Sequence, residues 1–372
     1  MIEYLGLRLA RARHGRKRRG DFQRPFDPAA SRRVLLLAVD HPIPQSQLFG
    51  FHYYAPSFRE RLDADIREVP VDAPLDPSLL KSATTICLQT HFDISEEALN
   101  ALVSQVRQHN QDARLIYLDW FAPTDLRLAA RVGPHVDAYV SKHLLRDRGK
   151  YGEPTYGDTT LMDYYGRAYD LDHEEQIFNI PNDFLSKLYL GPSFLTGDFL
   201  LPAFDRGRMP DGARPHDLHA RIAVEGSPWY SAMRRASDEA VARLDGVQTV
   251  TGFGIRHDRF LRELRASKVC FSPFGYGEVC WRDYEAIMCG AALLKQDMSH
   301  VDTAPDIFIP DETYVPVKWD LSDFEERLNW LLQDAAARGR IARNAFGVLH
   351  DYARSGAFLD QMAPAFFGNE AL

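Results

Sequence analysis

Short, almost uninterrupted apolar runs alternate with amphipathic stretches along this chain, and few architectures accept that pattern. Arg33-Val-Leu-Leu-Leu-Ala-Val-Asp40, Thr84-Thr-Ile-Cys-Leu-Gln-Thr90 and Ala113-Arg-Leu-Ile-Tyr-Leu-Asp119 are such runs, with a weaker one at Val136 to Val140. Between them Ser95 to His109 spaces Leu99, Leu102 and Val106 three and four residues apart behind a capping Ser95, which predicts a helix. A strand that is apolar on both faces belongs to a parallel sheet covered by helices on each side.

The alternation lapses between residues 150 and 215, rich in Gly, Pro, Asp and Tyr and read as connector and decoration, and then returns. Strands are predicted at His219 to Val224, Val247 to Val250, Lys268 to Ser272 and from Ala291. Helices are predicted at Tyr230 to Leu244, Asp258 to Ala266 and Tyr284 to Cys289. Two such sets predict an α/β protein of two Rossmann-like domains facing across a cleft. The divisions are a basic segment 1–25, a first domain 26–200, a second domain 201–350 and a tail helix 351–372. A length of 372 residues fits two domains.

Charge narrows the partners. The net charge is −8, which argues against a dedicated nucleic-acid binder, so no nucleic acid is expected as partner. Residues 1–25 depart from that average, with eight Arg or Lys against Glu3 and Asp21. With Ile2, Leu5 and Leu9 near one helical face, this segment is either a peripheral anchor on an anionic membrane or a solvated terminus. No run is long enough for a membrane span and no secretory leader is expected. Cys87, Cys270, Cys280 and Cys289 form no CxxC pair, which suggests a cytoplasmic protein without a zinc site.

The segment Phe271-Ser-Pro-Phe-Gly-Tyr-Gly-Glu-Val-Cys-Trp-Arg-Asp-Tyr-Glu-Ala-Ile-Met-Cys-Gly290 carries the most chemistry. A strand ends, a loop with Gly275 and Gly277 follows, and a helix starts near Asp283. Glycines allow close backbone approach to a ligand, and a helix N-terminus supplies free N–H groups and a positive dipole end. Such a junction suits a diphosphate, with Arg282 to neutralise its charge and Glu285 to accept from two ribose hydroxyls. Turn glycines and an ordinary capped helix account for the same residues without a ligand.

This segment resembles the donor-binding motif of glycosyltransferases with the two-domain GT-B fold, through Glu285-Ala286, Gly290 and the following Ala291-Ala-Leu-Leu294. The similarity extends over roughly residues 216–360. It implies that Glu285 binds the ribose of a nucleotide-diphosphate sugar, a donor substrate rather than a cofactor. It also implies that Glu278 corresponds to the first glutamate of the E-x7-E signature and faces the sugar. Glu278 and Glu285 are separated by six residues instead of seven, which departs from the pattern.

Transfer without a metal would need cations at the diphosphate. The candidates are Arg282 and Arg256, the latter following the Gly252-Phe-Gly254 turn. Lys268 and Arg221 are weaker, read as an edge residue and a strand ion pair. A general base for the acceptor hydroxyl is sought at the ends of the first strands, where Asp40-His41, His91, Asp93 and Asp119 lie. His41 is the best placed, because an adjacent carboxylate tunes an imidazole. The aromatic loop Gln45 to Tyr54 is expected to face the acceptor, and the tyrosines between 156 and 169 to border the cleft. The resulting expectation is a glycosyltransferase acting on a saccharide or lipid-linked acceptor, in polysaccharide or glycoconjugate synthesis at the inner membrane face. The alternatives are an epimerase or hydrolase of the same fold, or a non-catalytic binding protein.

Overall fold

A computed structural model describes residues 9, 12–16, 18–20, 24–72, 76–193 and 199–368. Two parallel sheets organise it. In the first, β1 (Arg32–Ala38), β2 (Ala64–Pro70), β3 (Thr85–Leu88), β4 (Arg114–Asp119), β5 (Ala138–Ser141) and β6 (Leu188–Leu190) lie in the order β2-β1-β3-β4-β5-β6. In the second, β7 (His216–His219), β8 (Thr249–Val250), β9 (Ser267–Phe271), β10 (Ala292–Gln296) and β11 (Val315–Val317) lie in the order β8-β7-β9-β10-β11. Each sheet reverses its winding between its first and third strands, which leaves a crevice beyond the carboxyl ends of those two strands.

Alternation along β1 explains its composition. Val34 and Leu36 pack into one buried cluster while Leu35 and Leu37 pack into another on the opposite face, so every position from Val34 to Ala38 is apolar. The second sheet behaves likewise, with Val269 and Phe271 on one side and Cys270 on the other.

Several elements differ from the sequence expectations. The strand expected at His219 to Val224 is instead His216–His219, and the chain leaves the sheet as a loop in which Ile222 still fills the core. Burial, not ladder pairing, accounts for the apolar residues there. The aromatic segment 45–54 is not an acceptor-facing loop. It is the helix Pro42–Tyr53, with Pro42 in its first turn, where a missing N–H costs nothing. Its Phe49 and Phe51 are buried, and Phe51 packs on Phe358 and Phe366. Strand β2 has no counterpart in the expectations, because Arg67 and Glu68 interrupt its apolar signal. Both are buried, with Arg67 over the Phe26 ring and Glu68 held by His52 and Arg18. The region 150–215 is more than decoration, since it supplies edge strand β6 and the helices Thr160–Ala168 and Leu200–Arg206.

The halves are tied together. The helix Ala335–Ser355 ends at Gly356 in the left-handed conformation (φ 80), and Ala357–Phe367 then packs back on the first sheet. There Thr85 Oγ1 donates to the Phe366 carbonyl (3.1 Å) and Arg114 Nε to the Ala365 carbonyl (2.7 Å). The short strands His143–Leu145 and Val301–Thr303 pair antiparallel between the halves. Of the basic segment, His14 packs against Phe49 and His52, and Arg18 bridges Glu68 and Asp40. Ile2 and Leu5 lie outside the described residues, and Leu9 is exposed. Among the described residues no helix is long and apolar enough to cross a membrane.

Candidate functional site

The crevice of the second sheet is bounded by the loop 220–227 after β7 and the loop 272–280 after β9. The helix Trp281–Met288 follows the second loop, and a buried ion pair fixes its start. Asp283 accepts from the Cys280 backbone N–H (2.8 Å) and from Ser272 Oγ (2.5 Å), and lies 3.2 Å from Lys295 Nζ, with both charged side chains fully buried. A buried pair held by several hydrogen bonds gives a rigid base for neighbouring residues.

Arg282 and Glu285 project from this helix into a cavity of about 310 Å³, lined also by Arg221, Phe253, Ile255, His257 and Phe260. Arg282 Nε and Nη1 are buried and, among the described residues, have no hydrogen-bond partner. Arg234 lies beneath both loops, donating to the Ala223 and Pro273 carbonyls. Burial first and then the Arg282 charge lower its pKa. His219, at the end of β7, is pushed down to about 3 by burial and then by the same guanidinium. Among the described residues Arg282 forms no ion pair with a carboxylate. Glu263 is engaged by Arg221 (2.6 Å) and Arg259 (2.9 Å), and Glu285 by His257 Nε2 (2.6 Å). Such a site takes an anion next to a group that accepts hydrogen bonds.

The other candidates fall elsewhere. Gly252 and Gly254 have φ of +90 and +73 and shape the turn before His257, a conformation that favours glycine. Arg256 caps the next helix, points 66% exposed toward Asp258, and lines a neighbouring pocket with Arg259 and Arg262. Lys268 pairs with Asp217 and Arg221 with Glu263. Gly277 permits a close approach, but to protein. A Cβ there would stand 1.8 Å from the Ala122 carbonyl oxygen of the first half, whereas at Gly275 the nearest atom, Cys280 Sγ, is 3.4 Å away.

Glu278 marks the junction of the halves. It is buried, accepts from Thr124 Oγ1 (2.6 Å), and lies 3.4 Å from His300 Nε2. Burial works to raise its pKa, but the His300 hydrogen bond and the nearby His143 prevail and lower it. His143 is held down to about 4, chiefly by burial. At the end of the first sheet, the Asp40 carboxylate goes to Arg18 rather than to His41. The His41 Nδ1 accepts from the Ile43 N–H, and neither residue lines the cavity between the halves. His91 pairs with Asp72 (3.0 Å). Asp119 is buried and raised to about 7 by burial, with Tyr139 and the Phe121 N–H as partners.

Sequence reasoning missed His257, Arg234, Thr124, His143 and His300. Only His257 had a local signal, standing just after the Gly252-Phe-Gly254 turn; the others come from segments far apart in sequence.

No family model and no curated protein matches the chain. Among solved structures it is similar to alpha-glucosyltransferase in complex with UDP and a 13-mer DNA containing a HMU base, with 10% identity and a TM-score of 0.52, over 90% of this chain and 98% of that one. It is also similar to alpha-glucosyltransferase in complex with UDP-glucose and DNA containing an abasic site, with 10% identity and a TM-score of 0.50, over 88% and 96% of the two chains. At that identity the likeness concerns architecture. The chain has the α/β fold of two Rossmann-like domains in the GT-B manner.

Proposed function

We propose that this protein is a glycosyltransferase that moves a sugar from a nucleotide-diphosphate donor to an acceptor hydroxyl. Arg282 carries the reading: two buried guanidinium nitrogens without partners among the described residues stand on the same helix start as Glu285, at the winding reversal of the second sheet. A diphosphate would satisfy those nitrogens, and Glu285 would accept from the ribose hydroxyls once His257 gives way. The acceptor oxygen bonds to the anomeric carbon as the bond to the diphosphate oxygen breaks. The electron pair departs with the nucleoside diphosphate, which also takes the hydroxyl proton. Arg282 meets the charge that develops on the leaving group, without recourse to a metal.

Of the expected catalytic residues we retain Glu278 as a positioning residue, since it lines neither cavity and is held by Thr124 and His300 where the two halves meet. His41 and Asp40 lack that support. UDP or UDP-glucose with DNA in the two similar structures agrees with a nucleotide-sugar donor and gives no support to excluding a nucleic-acid acceptor. A cytoplasmic location at the inner membrane face, serving glycoconjugate synthesis, is the finer form of the proposal. It is supported by Arg13, Arg16 and Arg19, which are exposed while His14 and Arg18 pack against the protein.

The test is turnover of nucleotide-diphosphate sugars with and without acceptors. Transfer that needs an acceptor supports the reading. Isomerisation or hydrolysis of the donor alone would replace it with an epimerase or hydrolase, and binding without turnover with a binding protein.

A further inference from the structure

A second cavity, of about 550 Å³, opens between the two halves. The first half contributes Phe92, Trp120, Phe121 and Met162 to its walls, and the second half Trp229 and Tyr276. The rings form two groups, one from each half: Phe92 meets Phe121 edge-on, and Tyr276 meets Trp229 edge-on while stacking on Tyr230. Phe92 is 57% and Tyr276 47% exposed, and exposed rings grouped around one cavity form the kind of apolar patch that marks a ligand-binding groove. The same two segments of the second half border this cavity and the Arg282 pocket. The loop after β7 gives Ala223 to one and Ser227 to the other, and the segment after β9 gives Arg282 and Glu285 to one and Tyr276 to the other.

The polar groups in this cavity are few, and most are already engaged. Arg127 is bound to Asp125 (2.6 Å) and Asp158 (3.2 Å), and Thr159 Oγ1 accepts from the Met162 N–H (3.0 Å). Two of its buried polar atoms, Ser227 Oγ and His173 Nε2, have no hydrogen-bond partner among the described residues. Each hydroxyl carried into such a space needs a partner, or costs a few kcal/mol. A saccharide would bring many hydroxyls against walls made mostly of aromatic and other apolar side chains.

We infer that the acceptor is an apolar alcohol or phenol, one or two hydroxyls on an aromatic or alicyclic skeleton. Its ring system stacks among Phe92, Trp120, Trp229 and Tyr276, and a hydroxyl is received by Ser227 and His173. The inference rests on the transferase reading above and names the acceptor class for that reaction.

The full-length protein is given 2-naphthol, maltotriose or a duplex oligonucleotide, together with a set of UDP-, GDP-, ADP- and TDP-hexoses, and products are read by mass spectrometry. In parallel, calorimetry measures binding of 2-naphthol and of the free nucleoside diphosphates. The expected result is a hexosyl adduct of 2-naphthol alone. Phe92→Ala, at an exposed position that leaves the fold intact, should weaken 2-naphthol binding by about ten-fold, and Ser227→Ala should also weaken it. Transfer to maltotriose or to the oligonucleotide but not to 2-naphthol overturns the inference. So does nucleotide binding without 2-naphthol binding, or 2-naphthol binding indifferent to Phe92→Ala. If no nucleoside diphosphate binds while 2-naphthol does, the transferase reading falls, and the acceptor assignment with it.

Discussion

Arg282→Met should act in opposite directions on the free and the nucleotide-bound protein. In the free protein, Arg282 Nε and Nη1 are buried without partners among the described residues. An unmet buried donor costs about 1–3 kcal/mol, and water in the open pocket relieves part of this, so methionine should stabilise the free chain by roughly 1 kcal/mol. At about 2.1 cal/mol/K per residue, this raises the midpoint of a cooperative unit of 372 residues by roughly 1 °C. In the complex the guanidinium donates to a diphosphate. Two charge-assisted hydrogen bonds at about 1.5–3 kcal/mol each make the loss roughly 3–6 kcal/mol, about a hundredfold to ten-thousandfold in Kd. Calorimetric unfolding of the two proteins, with and without the tightest binder among UDP, GDP, ADP and CDP, measures both effects. A variant that melts below the parent and keeps its nucleotide affinity would refute the argument, because Arg282 would then be an ordinary structural residue.

Glu285→Ala should weaken nucleotide binding by about 2 kcal/mol, roughly thirtyfold, with unfolding little changed; unchanged affinity by titration would remove the ribose role. Gly277→Ala should cost about 1–3 kcal/mol or more in urea unfolding, because its Cβ meets the Ala122 backbone at 1.8 Å, whereas Gly275→Ala, with 3.4 Å of room, should cost much less. His219 titrates near 3 in the folded state against 6.5 ordinarily. The unfolded chain therefore takes up a proton as pH falls through about 6.5 and the folded chain does not, so this contribution to stability is complete above that pH and is lost on acidification. His219→Leu should flatten the dependence of unfolding free energy on pH by about 1.4 kcal/mol per unit between about pH 4 and 6; parallel curves for the two proteins would contradict it.

What the sequence made legible follows burial. Strand β1 announced itself because both of its faces are covered and every side chain from Val34 to Ala38 is apolar. Strand β2 did not, because its charges are compensated by Phe26, His52 and Arg18, partners that no local window contains. The helix Pro42–Tyr53 looked like a loop because prolines and amides dominate its start, though prolines in a first turn are compatible with helix. Arg282 and Glu285 could be read together since one helix carries both. The setting of Glu278 could not, because Thr124, His143 and His300 reach it from three other segments. The aromatic cavity was equally hidden, drawing Phe92, Met162 and Trp229 from distant positions, while the aromatics at 49–54 that suggested an acceptor surface are largely core.

The donor site is tested most directly by a thermal-shift screen of the purified protein against UDP, GDP, ADP, CMP and their sugar conjugates. A ligand at about 100 times its Kd adds roughly 2.7 kcal/mol to stability. The account predicts a clear rise with one nucleoside diphosphate and its sugar conjugates, cut to roughly a third in Glu285→Ala at the same ligand concentration. No shift with any of them would contradict the claim that Arg282 and Glu285 form a nucleotide-sugar site.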